Sequence, residues 1–490
     1  MQVDSVTRPL ENIPIPEGRK KTVTSAIMSK GRVCLAYSGG LDTSTILKWL
    51  INEGYTVVCF LANVGQKEDW DAVEKKAIAI GAERMIILDL QRELVEQLVW
   101  PAIQCNAIYE DRYLLGTSLA RPVIARAQVR VANEYNCDFV SHGCTGKGND
   151  QVRFEMIRKL RLRSSDSVTR YVVKVSRLIY DRLQSILPEA LPLLGTLSRQ
   201  RETTAFKTCN PSLKIIAPWR LPEFCTRFQG RQQLLEYAAQ EGIPVSSTKA
   251  KPWSIDENIV HSSYEAGILE DPNITPPKDL WNLTRDPEEA PDKPQHFTLF
   301  FEKGVPAKLI VGEEVITDSV TLFKRLNLIG FENGVGRIDI VETRFIGVKS
   351  RGCYDTPGLT IARQAHIDLE SLVMDGKVRE LRDQFCTFTW SRLLYNGMYF
   401  SPEREFVEKA MVLTQHNVTG EVRMMAYKGN VYVQGRKSDA SNLYSAEEAS
   451  MDSLEGFSPM DTTGFIEIQS IRLKKYGAQK IKDGTPLTES

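Results

Sequence analysis

No two cysteines in this chain are spaced C-x-x-C. The nine present, Cys34, Cys59, Cys105, Cys137, Cys144, Cys209, Cys225, Cys353 and Cys386, are scattered and odd in number. Such spacing gives no support to zinc or dithiol redox motifs and suits reduced thiols in a cytosol-like compartment. A cytoplasmic location and no protein-bound metal are therefore expected. No apolar run approaches the roughly 18 residues that a membrane span requires. Excess charge is missing too: 62 Lys and Arg balance 62 Asp and Glu. This argues against a general nucleic-acid or membrane-surface binder, while leaving local patches open. Residues 1–30 lack a hydrophobic signal core and carry Asp4, Glu11 and Glu17, which suits neither a secretory nor a transit peptide. Pro9, Pro14 and Pro16 disfavour helix there. Met28 stands just ahead of the first apolar run, so residues 1–27 are expected to form a disordered extension, with translation starting at Met1 or Met28.

What is present is enough chain for two or three domains, 490 residues with 42% apolar content. The stretch Val33 to Ser44, VCLAYSGGLDTS, reads as a short strand, a Gly-Gly turn and a helix opening at Asp42-Thr43. Two glycines after a strand let backbone N–H groups face a ligand without a Cβ in the way. The helix that follows adds free N–H groups and the positive end of its dipole, and Ser38, Thr43 and Ser44 place hydroxyls on the same rim. The combination is an anion cradle sized for linked phosphates. It is not a Walker A loop, since no Lys follows at the G-x-x-x-x-G-K-[ST] spacing. A tight strand–helix turn with no ligand is the plain alternative.

Ile46, Leu47, Leu50 and Ile51 then recur at helical spacing, Tyr55 to Leu61 reads as a second strand, and Glu68 to Ile80 as a helix stopped by Gly81. Arg84 to Leu88 makes a third strand and Cys137 to Val140 a fourth. Alternating strands and helices imply a parallel Rossmann-like sheet, whose ligands sit at the carboxyl ends of strands. Ala62 lies at such an end, where its backbone could meet an adenine edge, though simple packing explains it better. In Glu110 to Pro122, EDRYLLGTSLARP, Thr117 and Ser118 are candidate helix N-caps. The loop Ser141 to Glu155, SHGCTGKGNDQVRFE, carries more polar groups than a turn needs. Lys147 can face phosphate there, and Asn149, Asp150 and Arg153 can grip an amino acid's ammonium and carboxylate.

The order S-G-G-x-D-[ST] resembles the pyrophosphate loop of ATP pyrophosphatases, which cut ATP between its α and β phosphates. Taken with LANVGQKED, EDRYLLGTSLARP, VSHGCTGKGNDQVRFE, IAPWRLPEF, PWSIDENIVHSSYEAGILEDP and GVGRIDIVETRFIGVKSRGCYDTPG, the chain resembles the argininosuccinate synthase family from about Met28 nearly to its end. The resemblance implies a parallel α/β nucleotide-binding domain over 28–245, an α+β synthetase domain over 250–460 and a C-terminal oligomerisation arm over 461–490. One departure stands out. Residues 156–204 separate QVRFE from AFKTCNPSLKIIAPWR, where the family has only a short segment. This insert is basic at Arg158, Lys159, Arg161 and Arg163 and apolar later. It reads as a weakly structured loop with one possible amphipathic helix at 172–187, or as a translated intron. Lengthening a connection from about 10 to 60 residues costs only about 1.6 kcal/mol of closure entropy, so folding can survive it; Arg153, just upstream, is more exposed to misplacement.

Beyond it, Arg227 to Gln240 reads as a helix and 243–252 as the domain boundary. Ser254, Ser263 and Glu265 are placed on irregular backbone, followed by a Pro-rich crossing from Asp271 to Pro294. His296 to Lys303 with Ala307 to Val311, and Gly420 to Gly435, pattern as hairpins. Arg337 to Val341 reads as a strand leading to Glu342, Leu359 to Leu394 and Glu403 to Thr414 as helical, and Phe465 to Lys475 as a short terminal segment.

The resemblance also implies a reaction: citrulline and aspartate joined at the cost of ATP with release of AMP and diphosphate, through a citrullyl adenylate, in arginine synthesis or the urea cycle. Mg²⁺ would accompany the nucleotide, and a cytoplasmic homotetramer is implied. Motif by motif, ATP contacts fall on Ala36, Tyr37, Ser38, Gly39, Gly40, Leu41, Asp42, Thr43, Ser44, Ala62 and Gly143. Citrulline contacts fall on Tyr113, Ser118, Asn149, Arg153, Ser254, Ser263, Glu342 and Tyr354, and aspartate contacts on Thr145, Asn149 and Asp150. Asp42, Asp150 and Arg153 are the candidate catalytic residues. No covalent nucleophile is needed, because positioning and charge stabilisation can carry both steps. Two rival readings are a different ATP pyrophosphatase and a nucleotide binder without turnover.

Overall fold

Strands β1 (Arg32–Ala36) and β2 (Thr56–Asn63) are apolar on both faces and buried along almost their whole length, as expected where helices cover a parallel sheet on both sides. With β3 (Arg84–Asp89), β4 (Phe139–Ser141) and β5 (Lys214–Ile216) they form a parallel sheet in the order β3-β2-β1-β4-β5. Alternate residues feed two cores. Val33, Leu35, Val57 and Cys59 pack with α1 (Leu41–Asn52) and α2 (Trp70–Ile80). Cys34, Val58 and Phe60 pack on the other side with Leu119 and Val123 of α3 (Gly116–Glu134). Asp69 caps α2 by accepting the Ala72 N–H at 3.0 Å, and Gly81 closes the helix at φ +117. The computed structural model describes residues 29–144, 209–210, 212–244, 253–345, 347–450, 452, 458, 460 and 462–484. The extension 1–27 and the insert 156–204 lie outside the described residues.

Two antiparallel sheets follow. β8 (Gln295–Glu302), β9 (Val305–Val311), β10 (Glu314–Ile316), β13 (Gly420–Tyr427) and β14 (Asn430–Lys437) run in the order β10-β9-β8-β13-β14. Both expected hairpins form; the second turns at Lys428 and Gly429, whose φ of +39 and +86 suit a two-residue hairpin turn. β6 (Ser254–Glu257), β7 (Ser262–Glu265), β11 (Arg337–Thr343) and β12 (Lys349–Asp355) make the third sheet, order β11-β12-β7-β6. α4 (Ser319–Asn333) and α5 (Pro357–Val373) join a core that is continuous with that of the first half; the Trp100 ring meets Phe323 edge-on at 5.9 Å.

Several expectations need correcting. Ser254, Ser263 and Glu265 lie on paired strands, not irregular backbone. Their run is polar because it faces a cavity, which removes the apolar alternation that marks a strand. Thr117 and Ser118 are inside the first turn of α3, and its N-cap is Leu115 at φ +64. The helix expected at Arg227 to Gln240 is two, Pro222–Arg227 and Arg231–Gln240, parted by an extended Gly230. Leu359 to Leu394 divides into α5, then Gly376–Arg382, a π-turn at Asp383–Thr387 and α6 (Phe388–Tyr395). The terminal segment is longer than Phe465 to Lys475: α7 runs Thr462–Lys482 with no buried residue. Helical segments between Gln91 and Gln104, and α4, went unread in the sequence. Leu94, Val95, Leu98 and Val99 are fully buried while Arg92, Glu96 and Gln97 are exposed, but the stripe is cut into four- and five-residue pieces by a π-turn at Val95–Val99 and by Pro101, so no regular helical period runs through it. Among the described residues no helix is long and apolar enough to cross a membrane.

Candidate functional site

The strand order reverses at β1, which has β2 on one side and β4 on the other. Crossovers diverge at such a point and leave a crevice beyond the carboxyl ends. β1 feeds Tyr37 to Gly40 into it, and β4 feeds His142, Gly143 and Cys144. Gly39 sits at φ +74, the left-handed region that favours glycine, and Gly40 is the extended N-cap of α1 with no side chain to occupy the helix's first N–H groups. Thr43 Oγ1 lies 3.2 Å from Ser38 Oγ and accepts the Ser38 N–H at 3.3 Å. Ser44 Oγ lies 3.1 Å from the Tyr37 hydroxyl. These bonds tie the loop's hydroxyls to one another while Ser38 and Gly40 stay exposed. Leu41 and Asp42 open the helix; burial pushes the Asp42 carboxyl up, against its own backbone hydrogen bond and Arg231. Ala36 ends β1. Ala62 is the penultimate residue of β2, with its side chain in the core and its carbonyl accepting from Gln66 Nε2 at 2.8 Å.

Lys76 was not read from the sequence, yet its ammonium donates to the Gly39 carbonyl at 2.6 Å, and burial lowers its pKa. The same carbonyl accepts from Ser44 Oγ at 3.4 Å, so the bond occupies a loop acceptor and brings a cation to the loop. Replacing Lys76 by Met is expected to raise KM for ATP about tenfold, the loss of one charged hydrogen bond, with Lys76→Arg recovering most of it; steady-state kinetics with varied ATP check this.

A cavity of about 760 Å³ opens beside the crevice. The third sheet builds its floor by register. Tyr354 stands opposite Ser263, Ser263 opposite Asp256, Glu265 opposite Ser254 and Glu342 opposite Ser350. Side chains alternate along strands, so one sheet face presents Ser254, Asp256, Ser263, Glu265, Glu342, Ser350 and Tyr354, and all seven line the cavity. Gly352 shares that face; a Cβ there would lie 2.3 Å from the Tyr354 hydroxyl, so the missing side chain seats the tyrosine ring. Burial pushes the Tyr354 phenol well up, keeping it a neutral donor. Tyr113 reaches in from the first half and stacks on Tyr354 at 4.4 Å between centroids.

Cavity and cradle meet at the end of β4. A Cβ on Gly143 would lie 2.9 Å from Thr43 Cγ2 in the cradle, and the next residue, Cys144, lines the cavity. The structure thus brings Tyr113, Ser254, Ser263, Glu342 and Tyr354 together and sets them beside Ala36 to Ser44. Ser118 is not among the cavity's lining; its hydroxyl is buried and has no hydrogen bond among the described residues. Thr145, Asn149, Asp150 and Arg153 lie outside the described residues. Unread in the sequence were the contact of Thr117, whose hydroxyl is 2.8 Å from His261 Nε2, and the ion pairs Arg121–Asp256 and Arg344–Glu265 at the cavity. The partners in both pairs are distant in sequence, which left no local signal.

Residues 32–168 match the family described as "Arginosuccinate synthase N-terminal HUP domain", and 253–476 that described as "Arginosuccinate synthase C-terminal domain". An anion cradle at the switch point of a HUP sheet, opening onto a polar cavity of amino-acid size, defines an ATP-using synthetase. The chain belongs to the argininosuccinate synthase family. It is 51% identical to argininosuccinate synthase of Saccharomyces cerevisiae, over 94% of this chain and all of that one. Against the Schizosaccharomyces pombe enzyme it is 52% identical, over 90% and 96% of the two chains. Against the human enzyme it is 46% identical, over 91% and 97%.

Proposed function

We propose that this chain joins L-citrulline to L-aspartate at the cost of ATP, forming argininosuccinate in arginine biosynthesis, with AMP and diphosphate released. The observation that carries the reading is the junction at Gly143-Cys144, where a phosphate cradle and an amino-acid cavity share one strand end. In the first step the ureido oxygen of citrulline attacks the α-phosphorus of ATP, and diphosphate leaves with the bonding pair. In the second the aspartate amine attacks the ureido carbon of the citrullyl adenylate, and AMP departs. Both are displacements helped by alignment and by donors aimed at developing charge.

Ser38 to Ser44 hold the departing diphosphate through the open N–H groups of α1 and the loop hydroxyls. Tyr113, Ser254, Ser263, Glu342 and Tyr354 hold citrulline, the carboxylate meeting its cationic end. Thr145, Asn149 and Asp150 are assigned to aspartate, and Asn149 and Arg153 also to citrulline; these four lie outside the described residues. ATP enters as its magnesium complex. The ion would be carried by the phosphates, with Asp42 as the carboxylate of the cradle's own sequence. The division into 28–245, 250–460 and a 461–490 arm is supported by the two family matches and by α7. That helix exposes Phe465, Ile466, Ile468 and Leu473, as an arm that packs on other copies in a homotetramer would. Nine free thiols support a reducing, cytoplasmic setting.

Following diphosphate and argininosuccinate in the full chain tests this. Diphosphate should appear only when ATP and citrulline are both present, and argininosuccinate only after aspartate is added. Diphosphate released equally fast without citrulline would overturn the substrate assignment.

A further inference from the structure

Glu342 is 4% exposed and stands one residue from the end of β11, where a strand has least to hold it. Its carboxylate Oε1 accepts the Tyr395 hydroxyl at 2.9 Å. Tyr395 closes α6, about fifty positions away in sequence, and is fully buried. Its ring lies flat on Tyr109, with centroids 3.7 Å apart and planes 7° from parallel. Tyr109 in turn donates to the carbonyl of Thr343 at 2.7 Å, and Glu110 accepts the Thr343 N–H at 3.0 Å. The Tyr395 ring also meets Tyr113 edge-to-face at 6.3 Å between centroids. One phenol therefore touches the carboxylate of Glu342, a ring of the loop that carries Tyr113, and the tyrosine that pins the residue after Glu342.

We propose that Tyr395 is a positioning residue for the amino-acid substrate: its hydroxyl fixes the rotation of the Glu342 carboxylate toward the cavity, and its ring sets the spacing between Glu342 and Tyr113. The proposal rests on the reading of Glu342 as a citrulline ligand. A carboxylate pivots about its last torsion, which is broad and two-fold. A charge-assisted bond from a rigid, buried phenol removes that freedom before substrate arrives. Phenylalanine at 395 would keep the ring contacts and delete only the hydroxyl, so the two parts of the role separate.

Steady-state kinetics on the full chain, with each substrate varied in turn, test the proposal. Tyr395→Phe is expected to raise KM for citrulline about tenfold, with kcat changed less than threefold, KM for ATP and aspartate unchanged, and the unfolding midpoint near that of the parent. Glu342→Gln removes the charge but keeps an oxygen that can accept from Tyr395, and should raise citrulline KM at least as much; in Glu342→Leu, which has no acceptor, adding Tyr395→Phe should cost nothing further, since the bond is then already lost. If Glu342→Gln weakens citrulline and Tyr395→Phe does not, or if the effects of Glu342→Leu and Tyr395→Phe simply add, the role of Tyr395 is overturned while the reading of Glu342 stands. If Glu342→Gln leaves citrulline KM unchanged, that reading falls and takes the proposal with it. A Tyr395→Phe protein that melts earlier and loses affinity for all three substrates alike would mark the hydroxyl as merely structural.

Discussion

Replacing Gly40 by alanine is expected to lower kcat/KM for ATP about a hundredfold while leaving the thermal unfolding midpoint where it was. The two halves of that expectation have separate causes. Gly40 has φ −69 and ψ 171, backbone that any residue adopts, and a Cβ built there comes no nearer than 3.5 Å to Ser38 Oγ. Nothing in the folded protein resists the methyl, and Gly→Ala at a compatible site even favours folding by about 0.4–1 kcal/mol through the unfolded chain. The ligand, however, needs that space. The first N–H groups of α1 open at this residue without a side-chain cap, and a methyl over them keeps a diphosphate from close approach. A displacement of about 1 Å at a reacting group costs on the order of a hundredfold. Gly39→Ala is the contrast: φ is +74 and the added carbon would meet Val73 Cγ2 at 3.1 Å, so stability and activity should fall together. Kinetics and a melting curve on both variants decide the matter, and a Gly40→Ala protein with parental kcat/KM would place the anion elsewhere.

The cradle was readable because everything it needs is local. Strand, glycines, hydroxyls and helix start lie within Val33 to Ser44, and each element forms with nearly the bounds expected. The parallel sheet was readable for the same reason: β2, α2 and β3 each carry a complete period and stop signal of their own. The cavity was legible in its residue types but not in its architecture. Ser254, Ser263, Glu342 and Tyr354 share a face only because β6, β7, β12 and β11 pair in one register, and pairing between distant strands leaves no mark in a single sequence. Family resemblance supplied those residues; it supplied neither Lys76 nor Tyr395. Lys76 is one more Lys on a charged helix until α2 is laid against the phosphate loop, and Tyr395 is one more aromatic in an apolar helix until its hydroxyl meets Glu342. The segments between Gln91 and Gln104 failed differently, since their stripe is broken into four- and five-residue pieces around a π-turn.

Arg382→Met is expected to destabilise the fold by about 3–5 kcal/mol at neutral pH, the cost of leaving a buried charge without its partner. Arg382 is 2% exposed and grips Glu370, itself fully buried, with Nη1 to Oε1 at 2.5 Å and Nη2 to Oε2 at 2.7 Å. Asn106 Nδ2 and Gln415 Nε2 donate to the same carboxylate at 2.7 and 3.0 Å, and their oxygens lie 2.8 Å from the two nitrogens of His366. Burial alone would push Glu370 up, but His366 and the Arg382 guanidinium outweigh it and hold the carboxyl at about 2. A carboxylate held below its unfolded value contributes fully above about pH 4.5, and that contribution drains away as the pH falls toward 2. Without Arg382, burial acts against weaker opposition and Glu370 takes up a proton more readily. The gap between variant and parent should therefore be widest near pH 7 and narrow toward pH 4. Adding Glu370→Gln should recover part of the loss at pH 7, because it removes the stranded charge. Urea unfolding of the three proteins at both pH values measures this. A single variant equally stable to the parent at pH 7, or a gap that widens on acidification, would refute it. The consequence reaches the site, because the network holds Gln104 and Asn106 just ahead of Tyr109 and Tyr113. Loosening it should blur citrulline binding before it unfolds the chain.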